Sequence, residues 1–225
     1  MSCCLLLART QDSSIRVLQE QAPDRIVHAD IADLSRAGWR FCSGSPEKAT
    51  AFAGGRVIEA RRIAAVLCRI GLVTPEDLVS VHAEDRAYAA SEMTAFLRAW
   101  LMQFRGVRCN EPTWMSLAGP GWHPQQWMWI VSRLGVPVIE AAVKGVARKD
   151  CETAMAMVAG REVLGVVDPT LVDYSLRIAR AVGARLLSLR FVHDGRWRFE
   201  AAESRPDLDQ AGAAALLRDL GVRAT

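Results

Sequence analysis

Residues 194–208 read DGRWRFEAAESRPDL, and the fold turns on how this stretch is understood. Asp194-Gly195 is a tight-turn dipeptide, and WRFEA after it alternates bulky and polar residues. That pattern predicts the second strand of a hairpin whose first strand is LLSLRFVH. The strand then runs through Ala201, Ala202 and Glu203 into the loop Ser204-Arg205-Pro206-Asp207. A strand end of this form normally carries reactive side chains, yet two of its positions are methyl groups.

Working outward, Asp209 is a cap candidate for a final helix that closes at Gly221. Upstream, Pro169 opens a helix over TLVDYSLRIARAVG that Gly183 ends. AMAMVAGREVLGVV reads as a hairpin around Ala159-Gly160-Arg161, preceded by the polar linker KGVARKDCET. Pro124 lies near the first turn of a helix carrying Trp127, Ile130, Val131 and Leu134, which Gly135 ends. VPVIEA follows as a strand. The order strand, loop, helix, glycine, strand is an α/β unit.

The clearest element spans 84–105. Ala89, Met93, Phe96, Leu97, Trp100, Leu101 and Phe104 repeat at helical spacing. Acidic residues stand at its start, and Arg105-Gly106 reads as a glycine C-cap. Before it, CLLLA, RIVHADI and WRFCSG read as strands. Ile15 to Gln21 reads as a short helix, with Ser13-Ser14 as cap candidates and Pro23 beyond it. The run RVIEARRIAAVLCRIG mixes strand and helix character. Its tail IAAVLCRI suits a central strand ending at Arg69, a position that in α/β domains often faces the binding crevice.

The 225 residues suffice for one large or two small domains, and a net charge of +3 from 28 basic and 25 acidic residues leaves no footprint for nucleic acid. No apolar run is long enough for a membrane span, and the start has no basic region of a signal peptide, so a cytoplasmic protein is expected. Cys3, Cys4, Cys42, Cys68, Cys109 and Cys151 form no CxxC pair and have no histidine at metal-ligand spacing; they read as buried thiols. GxSxG, HExxH, Walker A and GxGxxG patterns are absent from the sequence.

The order of the second half resembles the ATP-dependent carboxylate–amine ligases with an ATP-grasp fold. The resemblance rests on Asn110-Glu111-Pro112, Gly119-Pro120, Gln125-Gln126 and Leu134-Gly135-Val136-Pro137. It continues in VAGREVLGV, in IARAVGARLLSLRFVHDGRW and finally in AAESRPDL. It implies an α/β protein with a small N-terminal pre-ATP-grasp-like domain over 1–108 and a truncated ATP-grasp-like α+β domain over 109–225. In such ligases a final E-x-N motif holds Mg²⁺ against ATP through hard oxygen ligands. Alignment on RPDL places Ala201 at the glutamate position and Glu203 at the asparagine position. Glu200 reaches that site only if the strand slips by one residue, and a slip reverses side-chain faces. Between LGVPV and VAGREV the family carries a large sub-domain with a phosphate-binding lysine and a glycine-rich loop. Here only Ile139 to Glu152 intervenes, with Lys144 and Lys149.

The resemblance therefore implies a reduced, non-catalytic member, a binding or partner subunit in a small-molecule, peptide or cofactor biosynthetic pathway. On this reading it has no cofactor, and it forms a homo-oligomer or a heteromeric complex with a biosynthetic protein. One alternative is a working ligase using ATP and Mg²⁺, with Glu200, Glu203 and Asp207 on the metal and Lys144, Lys149 or Arg205 on phosphate. Another is an unrelated small-molecule-binding α/β domain. Arg69 and Asn110 complete the ligand candidates. Trp114, Trp122 and Trp127 are the pocket or interface candidates.

Overall fold

The computed structural model describes residues 2–139 and 151–222. The N-terminal half is built on a parallel sheet of order β2-β1-β5-β6: β1 (Cys3–Leu7), β2 (Ile26–Ala29), β5 (Ile63–Cys68) and β6 (Val107–Cys109). Runs such as CLLLA and IAAVLC are apolar on both faces because helices or loops cover both sides. One face (Leu5, Leu7, Val66, Cys68) meets α2 (Arg86–Gln103) and a small hairpin of β3 (Thr50–Ala53) and β4 (Arg56–Glu59). Trp100 is fully buried there, its indole nitrogen donating to the Thr50 carbonyl at 3.0 Å. Phe104 stacks on it at 5.6 Å and Trp39 meets it edge-on at 5.7 Å.

The other face (Cys4, Leu6, Ala65, Leu67, Cys109) packs on α1 (Ser14–Gln21) and α5 (Gln210–Asp219). This core also contains Ala159 and Leu186 of the second sheet, so α5 is shared between the two halves. Fully burying a leucine such as Leu18, Leu67 or Leu216 contributes about 1.5–3 kcal/mol.

The second sheet is antiparallel, of order β10-β9-β7-β8: β7 (Glu152–Ala159), β8 (Glu162–Leu164), β9 (Leu186–His193) and β10 (Trp197–Glu203). The predicted turns at Gly160 and Asp194-Gly195 join these strands, both glycines adopting positive φ. Pairing register sorts the residues by face. Ala154, Ala156, Val158, Leu187, Leu189, Phe191 and Phe199 point to α3 (Pro124–Arg133) and α4 (Pro169–Ala181). Asp168 caps α4 by accepting from the Thr170 amide at 2.8 Å, and also accepts from the Trp197 indole at 2.9 Å. Asp209 caps α5 as the sequence predicts, accepting from the Gly212 amide at 2.7 Å.

Three expectations are corrected. WRFCSG is not a strand: Trp39 and Arg40 form isolated bridges, to Ala37 and Thr50, and Phe41 and Cys42 lie in a loop. Its polar and glycine-rich end cannot sustain a ladder, and the residues that pair are the next ones, Thr50–Glu59. Of VPVIEA, the described residues 136–139 form one parallel bridge, Val138 to Phe199, and the last two lie outside the described residues. α2 ends without a glycine cap. Phe104 is extended (φ −60°, ψ 128°), and Gly106 has no positive φ. Gly106 is instead a point of close approach: a Cβ there would lie 2.4 Å from the Phe104 ring and 2.5 Å from the Ala64 carbonyl oxygen. Among the described residues no helix is long and apolar enough to cross a membrane.

Candidate functional site

The strand ends of the two sheets meet at a polar seam. Arg9, just past β1, donates Nε and Nη2 to the two carboxylate oxygens of Asp77 at 2.8 and 2.7 Å. Burial raises the Asp77 pKa. The Arg9 hydrogen bond and those from the Thr74 amide and hydroxyl outweigh it, so the carboxyl titrates below its ordinary range. The same hydrogen bond to Asp77 raises Arg9. Arg69, only 5% exposed, donates to Asp12 at 2.7 Å and to the Pro206 carbonyl at 3.0 Å. A buried guanidinium needs such a partner, since an uncompensated charge there is strongly unfavourable.

Asn110, past β6, is a clamp between the halves. Its Oδ1 accepts from the Arg185 and Leu186 amides at 2.8 and 3.0 Å. Its Nδ2 donates to the Ala118 and Leu186 carbonyls at 3.1 and 3.0 Å, with the Ser204 carbonyl at 3.4 Å.

Three clefts open from this seam, and Glu203 lines all of them. The first, about 420 Å³, is walled by Arg9, Gly71, Trp122, Trp127 and Arg205. The Arg205 guanidinium lies over Gly71, where a Cβ would be 3.1 Å from Nη1. Trp122 is edge-on to the buried Trp127 at 4.8 Å. The second, about 480 Å³, runs between Asp12, Ser13, Arg69, Pro206 and Asp207. Asp207 Oδ1 there accepts from the Ser13 hydroxyl at 2.7 Å.

The third, about 430 Å³, lies on the second sheet's other face. Register places Thr153, Met155 and Met157 of β7, Ser188 and Arg190 of β9, and Ala201 and Glu203 of β10 on this face. Positions 201 and 203 thus share a side, as the alignment on RPDL requires. Pairing skips Glu200 between Phe199 and Ala201, so Glu200 is the extra residue of a β-bulge. The bulge lets it stay with its neighbours, where its carboxylate pairs with Arg190 at 2.5 Å. Expecting Glu200 to lose this face unless the whole strand slips misses that local device.

The other sequence-derived candidates are spread more widely. Trp114 is 74% exposed, and its carbonyl accepts from Arg98 at 3.0 Å. Lys144 and Lys149 lie outside the described residues. Arg9 and Arg190 escape the sequence reading although a signal exists for each. Arg9 follows its strand as Arg69 follows β5, and the alternation in LLSLRFV marks Ser188 and Arg190 as facing away from Leu187, Leu189 and Phe191. The six cysteines are free. Burial, the largest influence on each, pushes the Cys4, Cys68 and Cys109 thiols up to about 12, so they stay protonated.

No family model and no curated protein matches this sequence. Solved structures do match, over nearly the full length. One is the ATP-grasp ligase PsnB complexed with minimal precursor, Mg and ADP (14% identity, TM-score 0.70, 97% of this chain and 98% of that one). Another is the macrocyclase MdnC from Microcystis aeruginosa MRC bound with precursor peptide MdnA (10%, TM-score 0.72, 97% and 99%). A third is the Chryseobacterium gregarium RiPP-associated ATP-grasp ligase in complex with ADP and a leader and core peptide (9%, TM-score 0.69, 98% and 97%). The fold of this protein is that of the ATP-grasp ligases, realised in 225 residues.

Proposed function

We propose that the protein is a non-catalytic ATP-grasp-fold subunit that binds a peptide or protein partner in a peptide-modifying biosynthetic system. The observation that carries this reading is the third cleft's face. Ala201 presents a methyl group beside Glu203, and the neighbouring carboxylate, Glu200, is held by Arg190. Mg²⁺ takes hard oxygen ligands in near-octahedral order, and a fixed guanidinium beside the site opposes a second cation. Among the described residues no three His, Cys, Asp or Glu side chains are grouped to hold a metal ion. This scarcity of oxygen ligands supports a reading without Mg²⁺.

The stretch from Ile139 to Glu152 is also too short to supply a separate lid over three phosphates. A polyphosphate whose charge no metal meets is costly to desolvate. The peptide-modifying setting is taken from the neighbours, which are complexed with a precursor peptide, a minimal precursor, and a leader and core peptide. Like them, the chain would work beside a peptide, here in a homo-oligomer or a heteromeric complex.

Calorimetric titration with Mg²⁺-ATP tests the reading. No binding at millimolar nucleotide is expected, and no phosphate release with carboxylate and amine substrates. Micromolar, Mg²⁺-dependent binding with phosphate release that Glu203→Ala abolishes would overturn it in favour of a working ligase.

A further inference from the structure

We infer that the third cleft is a docking groove for a peptide segment that alternates apolar and cationic side chains. The inference deepens the non-catalytic reading by naming the chemistry of the partner, and it rests on that reading. The floor is apolar: Met155, Met157, Leu164 and Gly165. Met155 is 54% exposed in the middle of the eight-residue strand β7. Among the described residues α5 covers one end of this face, where Met157 and Leu164 pack beside Ala159 and Leu186. Two glycines keep the floor tight. A Cβ on Gly165 would lie 2.5 Å from the Met155 carbonyl oxygen, and one on Gly212 would lie 2.8 Å from the Met157 sulfur. Methionine's flexible thioether side chain suits a surface that adapts to a bound side chain.

The rim is acidic. Among the described residues Glu203, Asp207 and Asp209 line it, while Arg190, opposite Met155 on the same face, is paired with Glu200 and leaves the three rim carboxylates in excess. The sequence as a whole is net positive, so this is a local reversal of charge. The Glu203 side chain is 58% exposed; its Oε1 accepts from the Arg205 amide at 3.0 Å, with the Arg205 guanidinium at 3.9 Å. Asp207 and Asp209 each engage a neighbour through Oδ1. An apolar floor beneath three carboxylates repels a phosphate or an acidic peptide. It matches a lysine or arginine flanked by leucine-like side chains, whose stems cover the methionines while the heads meet the rim. The volume, about 430 Å³, falls within the range of roughly 300–1,000 Å³ seen for ligand sites and holds a few side chains rather than a folded surface.

Fluorescence anisotropy with three labelled synthetic peptides tests this: leucine–lysine, leucine–glutamate and all-lysine. The leucine–lysine peptide is expected to bind about tenfold or more tightly than the other two, and Met155→Lys to weaken it by a similar factor. Met155→Leu should retain binding, and thermal melts confirm that both variants fold. Equal binding of the leucine–lysine and all-lysine peptides would overturn the proposal, because charge alone would explain it. So would preference for the acidic peptide, absence of any binding, or self-association in light scattering that Met155→Lys abolishes. Mg²⁺-ATP titration of the same samples separates the two readings. Nucleotide binding there refutes the non-catalytic function, whereas failed peptide binding alone refutes the groove.

Discussion

Replacing Asn110 tests whether one buried amide joins the two halves of the molecule. The side chain is 3% exposed, and Asn110→Ala removes the acceptor for the Arg185 and Leu186 amides. Each orphaned buried donor costs about 1–3 kcal/mol. The Arg185 bond is only part-buried, so water can replace some of it, and a total near 3 kcal/mol is expected. For a chain of this size that lowers Tm by roughly 6–12 °C. Asn110→Asp supplies a sharper test. Its carboxylate would accept from the two amides but face the carbonyls of Ala118 and Leu186, which Nδ2 now satisfies. Burial and those carbonyls favour the protonated acid, so its folded-state pKa lies above the unfolded value of about 3.9. The acid form's stability is present in full below that value and is lost as pH rises through the folded pKa. The Asn110→Asp penalty should therefore be small near pH 4 and large at pH 7. Thermal melts of both variants across pH provide the assay. An Asn110→Ala loss under about 1 kcal/mol, or an Asn110→Asp penalty independent of pH, would refute the clamp.

Gly106→Ala should cost about 2–4 kcal/mol by chemical denaturation, because the new methyl meets backbone at 2.5 Å; a neutral outcome would mean β5 and β6 can separate freely there. Asp77 titrates below its ordinary range, so its contribution is full above about pH 4 and is lost as pH falls through the folded value. Asp77→Asn should remove that part of the acid sensitivity in melts between neutral and acidic pH. A thiol reagent at pH 8 should label Cys42 and Cys151 in the folded protein and reach Cys4, Cys68 and Cys109 only on unfolding, as mass spectrometry of labelled peptides would show.

Most elements were legible because their signals are local. Pro169 and Gly183 bracket α4, Asp209 caps α5, and Gly160 and Gly195 turn the two hairpins. The failures came where tertiary contact outweighed local pattern. α2 ends at Gln103 with Phe104 extended and buried against Trp100, an end that no local glycine signals. WRFCSG alternates like a strand, but Trp39 turns into the core against Phe96 and Trp100.

The site was half legible. Ala201 and Glu203 follow from the resemblance, and their common face follows from strand periodicity. The bulge at Glu200 does not, because a bulge is set by pairing with the neighbouring strand. Asn110 stood out in sequence as a ligand or turn residue. Its polar atoms are instead consumed by backbone groups 8 to 94 residues away, a separation that local reading cannot bridge.

The sharing of α5 between the sheets bears on the order in which this chain acquires structure during synthesis. Leu6, Leu18 and Leu67 are made early, yet the residues that cover them include Leu208, Ala213, Leu216 and Leu217. The Ser14 hydroxyl likewise waits for the Leu208 amide, 194 positions downstream. The N-terminal sheet therefore cannot finish its interior on the ribosome until the last helix has emerged. A nascent chain halted before Leu208 would hold an uncovered apolar sheet face, the form most exposed to aggregation and to chaperone capture.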